Sequence, residues 1–426
     1  MTEQSPPPMP SPAPLTWQQA IFNRHMFICV LTGFASGLPL YFLIQLVPAW
    51  LRSEGVGLTE IGLFALIGFP YNWKFVWAPL MDRYVPPFFG RRRGWMLISQ
   101  LGLIVSMAVL GFIDPKFSVG LVAYGAAAVA FCSASQDVVL DAYRRELLRD
   151  DELGLGNAIH VQAYRLAGLV PGSIGVILGD YLPWSTVFMV MAAFMLIGVA
   201  MTLWIEEAAD ASIAPLSLRA AIVEPFKEFV NRKGWASALY LLLFLFLYKL
   251  GDNMATALSS PFYLDLGFTL TEIGTIAKTA SLTAAIIGGL AGGIIMIRLG
   301  INRALWVFGV VQVLSILGFA ALAEIGHDRF ALAVVIVFEY LGVGLGTAAF
   351  TAFIARATTP AYAATQFALF TALAAVPRTF ANATTGIIVE SVGWTNFYLL
   401  CTVIAVPGML MLFKVAPWRE PAAGDA

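Results

Sequence analysis

Apolar runs of about 20 residues, the length that crosses a bilayer core, recur along nearly the whole chain and are separated by short charged or turn-forming stretches. Hydrocarbon offers no donors or acceptors, so a segment of this kind must close its backbone hydrogen bonds within itself, as a helix. The fold class that follows is an all-α polytopic membrane protein. Composition agrees: of 426 residues, 59% are hydrophobic and 12% charged, against the ~25% charged that a soluble domain carries. The mean hydropathy is +0.80. Cys29, Cys132 and Cys401 all fall inside apolar segments and are odd in number, so they read as small buried hydrophobes, neither a disulfide framework nor a metal site.

Hydropathy and turn residues predict twelve spans. The first six lie near 25–50, 58–82, 94–113, 118–146, 156–180 and 184–205, and the others near 234–264, 270–298, 302–324, 328–356, 362–390 and 394–414. Residues 1–20 are proline-rich, lack the basic start of a signal peptide and read as a disordered cytosolic tail. The predicted organisation is a six-helix bundle over 21–206, a cytosolic linker over 207–233, a second six-helix bundle over 234–417 and a tail over 418–426. Within the linker, LRAAIVEPFKEFV is amphipathic enough to lie along a membrane surface.

Lys and Arg are distributed unevenly. With both termini in the cytoplasm, seventeen of the 25 fall on the cytoplasmic side and three (Arg52, Lys116 and Arg329) on the other, which sets the orientation. Five remain inside spans: Lys74, Arg165, Lys249, Lys278 and Arg378. Deep acids are Asp137, Asp141, Asp252 and Glu339. Spans 3, 6, 9 and 12 carry no interior charge. A lipid-facing span must be apolar all round, whereas an ionisable group needs a cavity, a partner or water. Charge-free spans at every third position therefore imply four three-helix repeats, the third member of each outside and the others lining a polar pathway. The pentapeptide LTEIG occurs at 58–62 and at 270–274. It reads either as a chance match capping two helix starts through Thr59 and Thr271 or as a trace of internal duplication, which its equivalent place in both halves favours.

These charges admit more than one reading. Lys249 and Asp252, three residues apart, either neutralise each other or serve a site. Asp141 lies one turn before Arg144 and Arg145 and fits an ion-pair gate better than a substrate site. Asp137 is deeper and has Gln136 and small neighbours but no adjacent base; an acid so placed keeps its charge at a cost, which a proton-coupled site exploits. Arg165 and Arg378 suit carboxylate clamping, because guanidinium bonds a carboxylate through two N–H groups. Glu339 is either a proton site or a partner for Lys278. Glycines and prolines such as Pro39, Pro48 and Gly251 serve close packing or hinge motion, and the aromatic residues fill the bundle or stack on a sugar.

An every-third-helix charge pattern resembles that of the major facilitator superfamily. APLMDRYVPPFFGRRRGW resembles its cytoplasmic gate motif, with Asp82, Arg83, Arg91, Arg92 and Arg93 in the expected roles and Ala78 where glycine is usual. LTGFASGLPL, AFCSASQDVVLDAY, YKLGDNMA, FEYLGVGLGTAAF and AATQFALFTALAAVPRTF resemble more narrowly the AmpG-type muropeptide permeases. That resemblance implies a proton-driven importer of anhydromuropeptides, N-acetylglucosaminyl-anhydro-N-acetylmuramyl peptides, in the inner membrane of a Gram-negative bacterium. It also implies a role in wall recycling with an influence on β-lactamase induction. The residues so implicated are Asp137, Asp252 and Glu339 for proton coupling; Gln136, Lys74, Arg165, Lys249, Lys278, Gln366 and Arg378 for substrate; and Asp141 with the gate motif. Tyr340, and the AYRREL exit of span 4, depart from the family pattern and bear on substrate preference. A symporter of the same fold for another large organic anion, a short peptide or a coenzyme A ester, is the alternative. An enzyme is not expected: His25, His160 and His327 lie near span ends without metal-ligand or Ser/His/Asp spacing, and no phosphate-binding loop of the Walker type is present. No cofactor, metal or nucleic-acid partner is expected, and the chain is expected to act as a monomer.

Overall fold

The computed structural model describes residues 22–148, 152–207, 218–357 and 378–418, together with Phe370 and Ala375. Among the described residues every regular element is helical. In chain order the principal ones are α1 (Arg24–Ser53), α2 (58–83), α3 (Arg91–Leu110), α4 (Val119–Leu147), α5 (Leu155–Leu178), α6 (Trp184–Trp204), α7 (Gly234–Ala257, followed by a short helix at Ser259–Asp265), α8 (Leu270–Met296), α9 (Arg298–Ile325), α10 (Arg329–Ile354) and α11 (Thr385–Val415). All but α2 are long and apolar enough to cross a membrane, which makes ten.

α2 falls short for a local reason. It is assembled from Leu58–Leu63, Phe69–Trp73 and Ala78–Arg83, joined by tighter 3₁₀ turns at Phe64–Gly68 and Lys74–Val76. Pro70 and Pro79 have no N–H to give the preceding turn, and each ring crowds the carbonyl four residues back. A single straight span over 58–82 is therefore replaced by short helical pieces. Elsewhere glycine bends the path. Gly300 (φ 73°, ψ 162°) turns α8 into α9, and Gly393 (φ 79°, ψ 168°) divides α11 into arms 385–392 and 394–415. A side chain at either position would be strained, because its Cβ disfavours that left-handed φ. Residues 218–233, part of the predicted linker, are also helical, and Gly234 (φ 77°) turns them into α7.

Close backbone approach fixes the packing within each half. A Cβ on Gly33 would lie 2.3 Å from the His160 carbonyl oxygen, and one on Gly37 2.3 Å from that of Tyr164. These glycines, four residues apart on α1, let α5 seat directly on it. In the second half Gly288 and Gly344 do the same for α8 and α10. The outward faces of predicted spans 3, 9 and 12, whose interiors carry no charge, show exposed apolar stripes at helical spacing: Ile98, Leu101, Val105 and Val109 on α3; Val307, Val310, Leu314 and Leu317 on α9; Leu399, Val403, Val406 and Leu410 on the second arm of α11. Such faces suit contact with lipid chains.

Three helices are locally underwound into π turns: α1 at Phe42–Leu46, α5 at Val170–Gly175 and α8 at Ile273–Ala277. The turn in α5 touches those in α1 and α8, where the two halves of the chain meet. Beside this seam lies a cavity of about 350 Å³, lined from one half by Leu43, Gln45 and Ala65 and from the other by Asn253, Ser259, Tyr340 and Asn382.

Candidate functional site

The first-half charges converge on one place. Asp137 on α4 accepts a 2.6 Å hydrogen bond from Ser36 Oγ on α1. Lys74 Nζ, from the broken middle of α2, stands 4.0 Å from Asp137 and 3.7 Å from Asp141. Asp141 is held 2.9 Å from Arg144, one turn on, and Arg144 also donates to Asn157 of α5 at 2.8 Å. A single ammonium thus sits between two carboxylates, at ion-pair rather than hydrogen-bond distance from the deeper one. The 3₁₀ turn that starts at Lys74 places it there. Trp77, on the same irregular stretch, donates to Ser135 at 3.0 Å and ties α2 to α4. Gln136, next to Asp137, points elsewhere: it is fully buried and donates to the Ala35 carbonyl at 2.7 Å, linking α4 to α1.

The second half forms a matching but drier group. Lys249 donates to Asp252 at 2.9 Å, and both side chains are buried. Glu339 on α10 is fully buried with Asp252, Lys249 and Ser315 as its electrostatic neighbours, and neither carboxylate oxygen has a hydrogen-bond partner among the described residues. Arg378 lies within electrostatic reach of Asp252. Lys278 stands apart from these acids, with Nζ 5.0 Å from the centre of the Tyr41 ring on α1 and its stem against Gly172 of α5. Of the two roles open for Glu339 in sequence, the partner of Lys278 is therefore not the one the structure displays. Arg165 on α5 is half-buried and an electrostatic neighbour of Tyr41. Gln366 lies outside the described residues.

In the gate motif, the side chains of Asp82 and Arg83 lie outside the described residues, while the arginines after them make bonds within the first half. Arg92 donates from Nη2 to Glu146 of α4 at 2.6 Å, and Arg93 donates to the carbonyls of Thr202 and Leu203 at 3.0 Å each. Glu207, just past α6, accepts from the backbone N–H groups of Arg92 and Arg93 at 2.6 and 3.0 Å. A carboxylate there satisfies orphan donors and suits the positive end of α3. Arg91 makes interactions of its own.

Sequence reasoning passed over Ser36, Glu146 and Glu207. Ser36 lies 101 residues from Asp137 in the glycine-rich FASGLP run, where its small size suggests only packing. Glu146 closes predicted span 4 and Glu207 lies just past span 6, places where an acid reads as a solvated charge. For Glu146, the cue was an acid near the inner end of span 4, with the arginine cluster at the adjacent start of span 3.

Comparison with known proteins agrees with this architecture. The chain matches the Major Facilitator Superfamily profile over residues 30–382. It is 42% identical over 387 residues to the anhydromuropeptide permease of Escherichia coli K12, covering 90% of this chain and 78% of that protein. It is 48% identical over 409 residues to an uncharacterized protein of Haemophilus influenzae, covering 94% and 96%. Among solved structures, the nucleoside transporter NupG (D323A mutant) superposes with a TM-score of 0.73 at 13% identity, over 92% of this chain and all of that one. A bacterial homologue of the lysosomal transporter Spinster gives 0.71 at 13% identity, over 94% and 98%. At such identities the superpositions speak for the fold alone. The chain is therefore a multi-pass membrane transporter, not an enzyme, and it belongs to the major facilitator superfamily, closely related there to the anhydromuropeptide permeases.

Proposed function

We propose that this protein imports anhydromuropeptides across the bacterial inner membrane together with protons, by alternating access between two six-helix bundles of a twelve-helix fold with both termini cytoplasmic. For the substrate, the observation that carries the reading is the 42% identity with the Escherichia coli permease over 90% of the chain. The geometry supports the chemistry. Muropeptide carboxylates need cations inside the membrane, and Lys74, Arg165, Lys278 and Arg378 are intramembrane bases on helices at the seam, with Lys249 paired behind them. Asp137, Asp252 and Glu339 are the acids placed to carry a proton, and Asp141, with Asp82, Arg83 and Arg91–Arg93, serves the cytoplasmic gate. Inward movement of one net positive charge is driven by ~2.3 kcal/mol per 100 mV, enough for tens-fold accumulation.

The deciding experiment is uptake of labelled GlcNAc-anhydroMurNAc-peptide into proteoliposomes under an imposed acid-outside gradient. Gradient-dependent, saturable accumulation is expected. Its absence from correctly folded protein, or stronger competition by a short peptide or a coenzyme A ester, would overturn the substrate assignment. In the same assay Asp137→Asn is expected to abolish accumulation while sparing exchange across equal concentrations. Uphill uptake at the wild-type rate would remove Asp137 from coupling.

A further inference from the structure

The duplicated pentapeptide is longer than it first looks. GVGLTEIG (55–62) and GFTLTEIG (267–274) share five consecutive residues and a leading glycine, and the two leading glycines have the same left-handed backbone, φ 86° and 87°. Each copy enters a helix, α2 or α8, at the end of the bundle away from the chain termini. The threonines do not cap their own helices. Gly57 and Thr269 hold the N-cap positions, and Thr59 and Thr271 lie inside the first turn. Instead each threonine bonds to a carboxylate in the opposite half of the chain. Thr59 donates to Glu390 through its backbone N–H at 3.0 Å and its hydroxyl at 2.5 Å. Thr271 donates to Asp180 through the same two groups, at 2.6 and 2.5 Å.

The acceptors match as well. Asp180 follows GVILG just past the end of α5, and Glu390 follows GIIV in the first arm of α11, one residue nearer the start of its run. The closing glycine of each copy completes the match. A Cβ on Gly62 would stand 2.9 Å from the Gly386 nitrogen, and one on Gly274 2.9 Å from the Ser173 carbonyl oxygen. Every position of the pentapeptide then has a reason. Leucine and isoleucine are buried, threonine reaches across the seam, and glycine lets the opposing backbone come close enough to be reached. Glutamate folds back over its own helix start, over Gly57 in one copy and onto the Thr269 N–H at 2.9 Å in the other.

We propose that the two copies are a matched pair of latches that hold the periplasmic face shut, each an acid from one half capping a helix start of the other. The periplasmic label rests on the orientation and alternating access proposed above. A helix start has backbone donors without partners and a partial positive charge, so an acid brought from across the seam is held only while the halves touch there. Both acids are solvent-exposed, so water replaces the lost bonds when the face opens. That makes the contact reversible, unlike a dry ion pair. The pair also bears equally on both sides of the seam, so neither half can swing away with its latch intact.

The test uses the full-length protein in sealed vesicles with the periplasmic face outward. Ala65→Cys places a thiol on the cavity beneath the latches, and a membrane-impermeant maleimide is added outside; the native cysteines set the background. Asp180→Asn and Glu390→Gln are each expected to raise the labelling rate at position 65 by about three-fold or more, and the double variant by about ten-fold. Thr59→Val and Thr271→Val, which lose the hydroxyl bond and keep the N–H bond, should each raise labelling in the same direction as the corresponding acid variant but by less. Thr→Ser at either position should leave labelling at the wild-type rate. If an acid variant fails to fold, the valine variants carry the same reading. Unchanged labelling in all of them, or opening by one latch and none by the other, would overturn the matched pair. Labelling reads the seam whether or not a muropeptide is carried, so failure of the substrate assignment and failure of the latches are told apart.

Discussion

Each half holds a base between acids inside the membrane, but in opposite settings. In the first half Lys74 stands 4.0 and 3.7 Å from two carboxylates, and the Asp141 side chain is 52% exposed. In the second, Lys249 closes on Asp252 at 2.9 Å, the two side chains are 7% and 9% exposed, and Glu339 beside them is fully buried. A loose group that water reaches exchanges partners at small cost, because solvent takes up whichever charge is released. A dry pair is fixed, because breaking it leaves a bare charge in a medium that cannot solvate it. The difference predicts different responses. The first cluster can change partners at small cost as ligand or proton arrives. The second should keep its geometry until protonation of Asp252 or Glu339 relieves the buried charge.

The contrast is broken most directly at Lys249. Lys249→Met leaves Asp252 buried beside Glu339 without its base, and is expected to destabilise the folded protein by about 3–5 kcal/mol, read as a lower unfolding temperature in detergent. Replacing both partners, Lys249→Met with Asp252→Leu, should restore most of that loss, since removing a whole buried pair is often neutral, while uptake stays lost. If single and double variants unfold alike, the pair is not the fixed element described here.

Much of this contrast was legible in sequence, and the rest hid for identifiable reasons. Charges inside apolar runs stand out because hydrocarbon tolerates so few, so Lys74, Asp137, Lys249, Asp252 and Glu339 were all visible as intramembrane ionisable groups. Their partners were harder to see. Which way a helix is rotated decides whether Lys278 meets Glu339 or the Tyr41 ring, and rotation follows from packing at glycines such as Gly288 and Gly344 rather than from hydropathy. The pieces of α2 could be foreseen at Pro70 and Pro79, but not that the break would turn Lys74 toward both carboxylates. The LTEIG copies were conspicuous, yet their partners Asp180 and Glu390 were passed over because acids at span ends look like ordinary solvated charges.

Two smaller effects sharpen the comparison from the first-half side. Ser36→Ala removes a 2.6 Å hydrogen bond to the Asp137 carboxylate, and bonds to charged groups contribute about 1.5–3 kcal/mol. A loss in that range is expected, with a shift in the pH profile of uptake that a purely structural defect would not give. Lys74→Ala should cost less stability, about 1 kcal/mol or below, because the ammonium is 33% exposed and no closer than 3.7 Å to either acid. Its cost should fall on transport, as a raised KM for muropeptide in unfolding-resistant protein. That ordering, with Lys249 dominating stability and Lys74 touching mainly function, is what distinguishes a rearranging cluster from a fixed one. A Lys74 variant as unstable as the Lys249 variant would mean that water does not relieve the first cluster, and both halves would then be equally rigid.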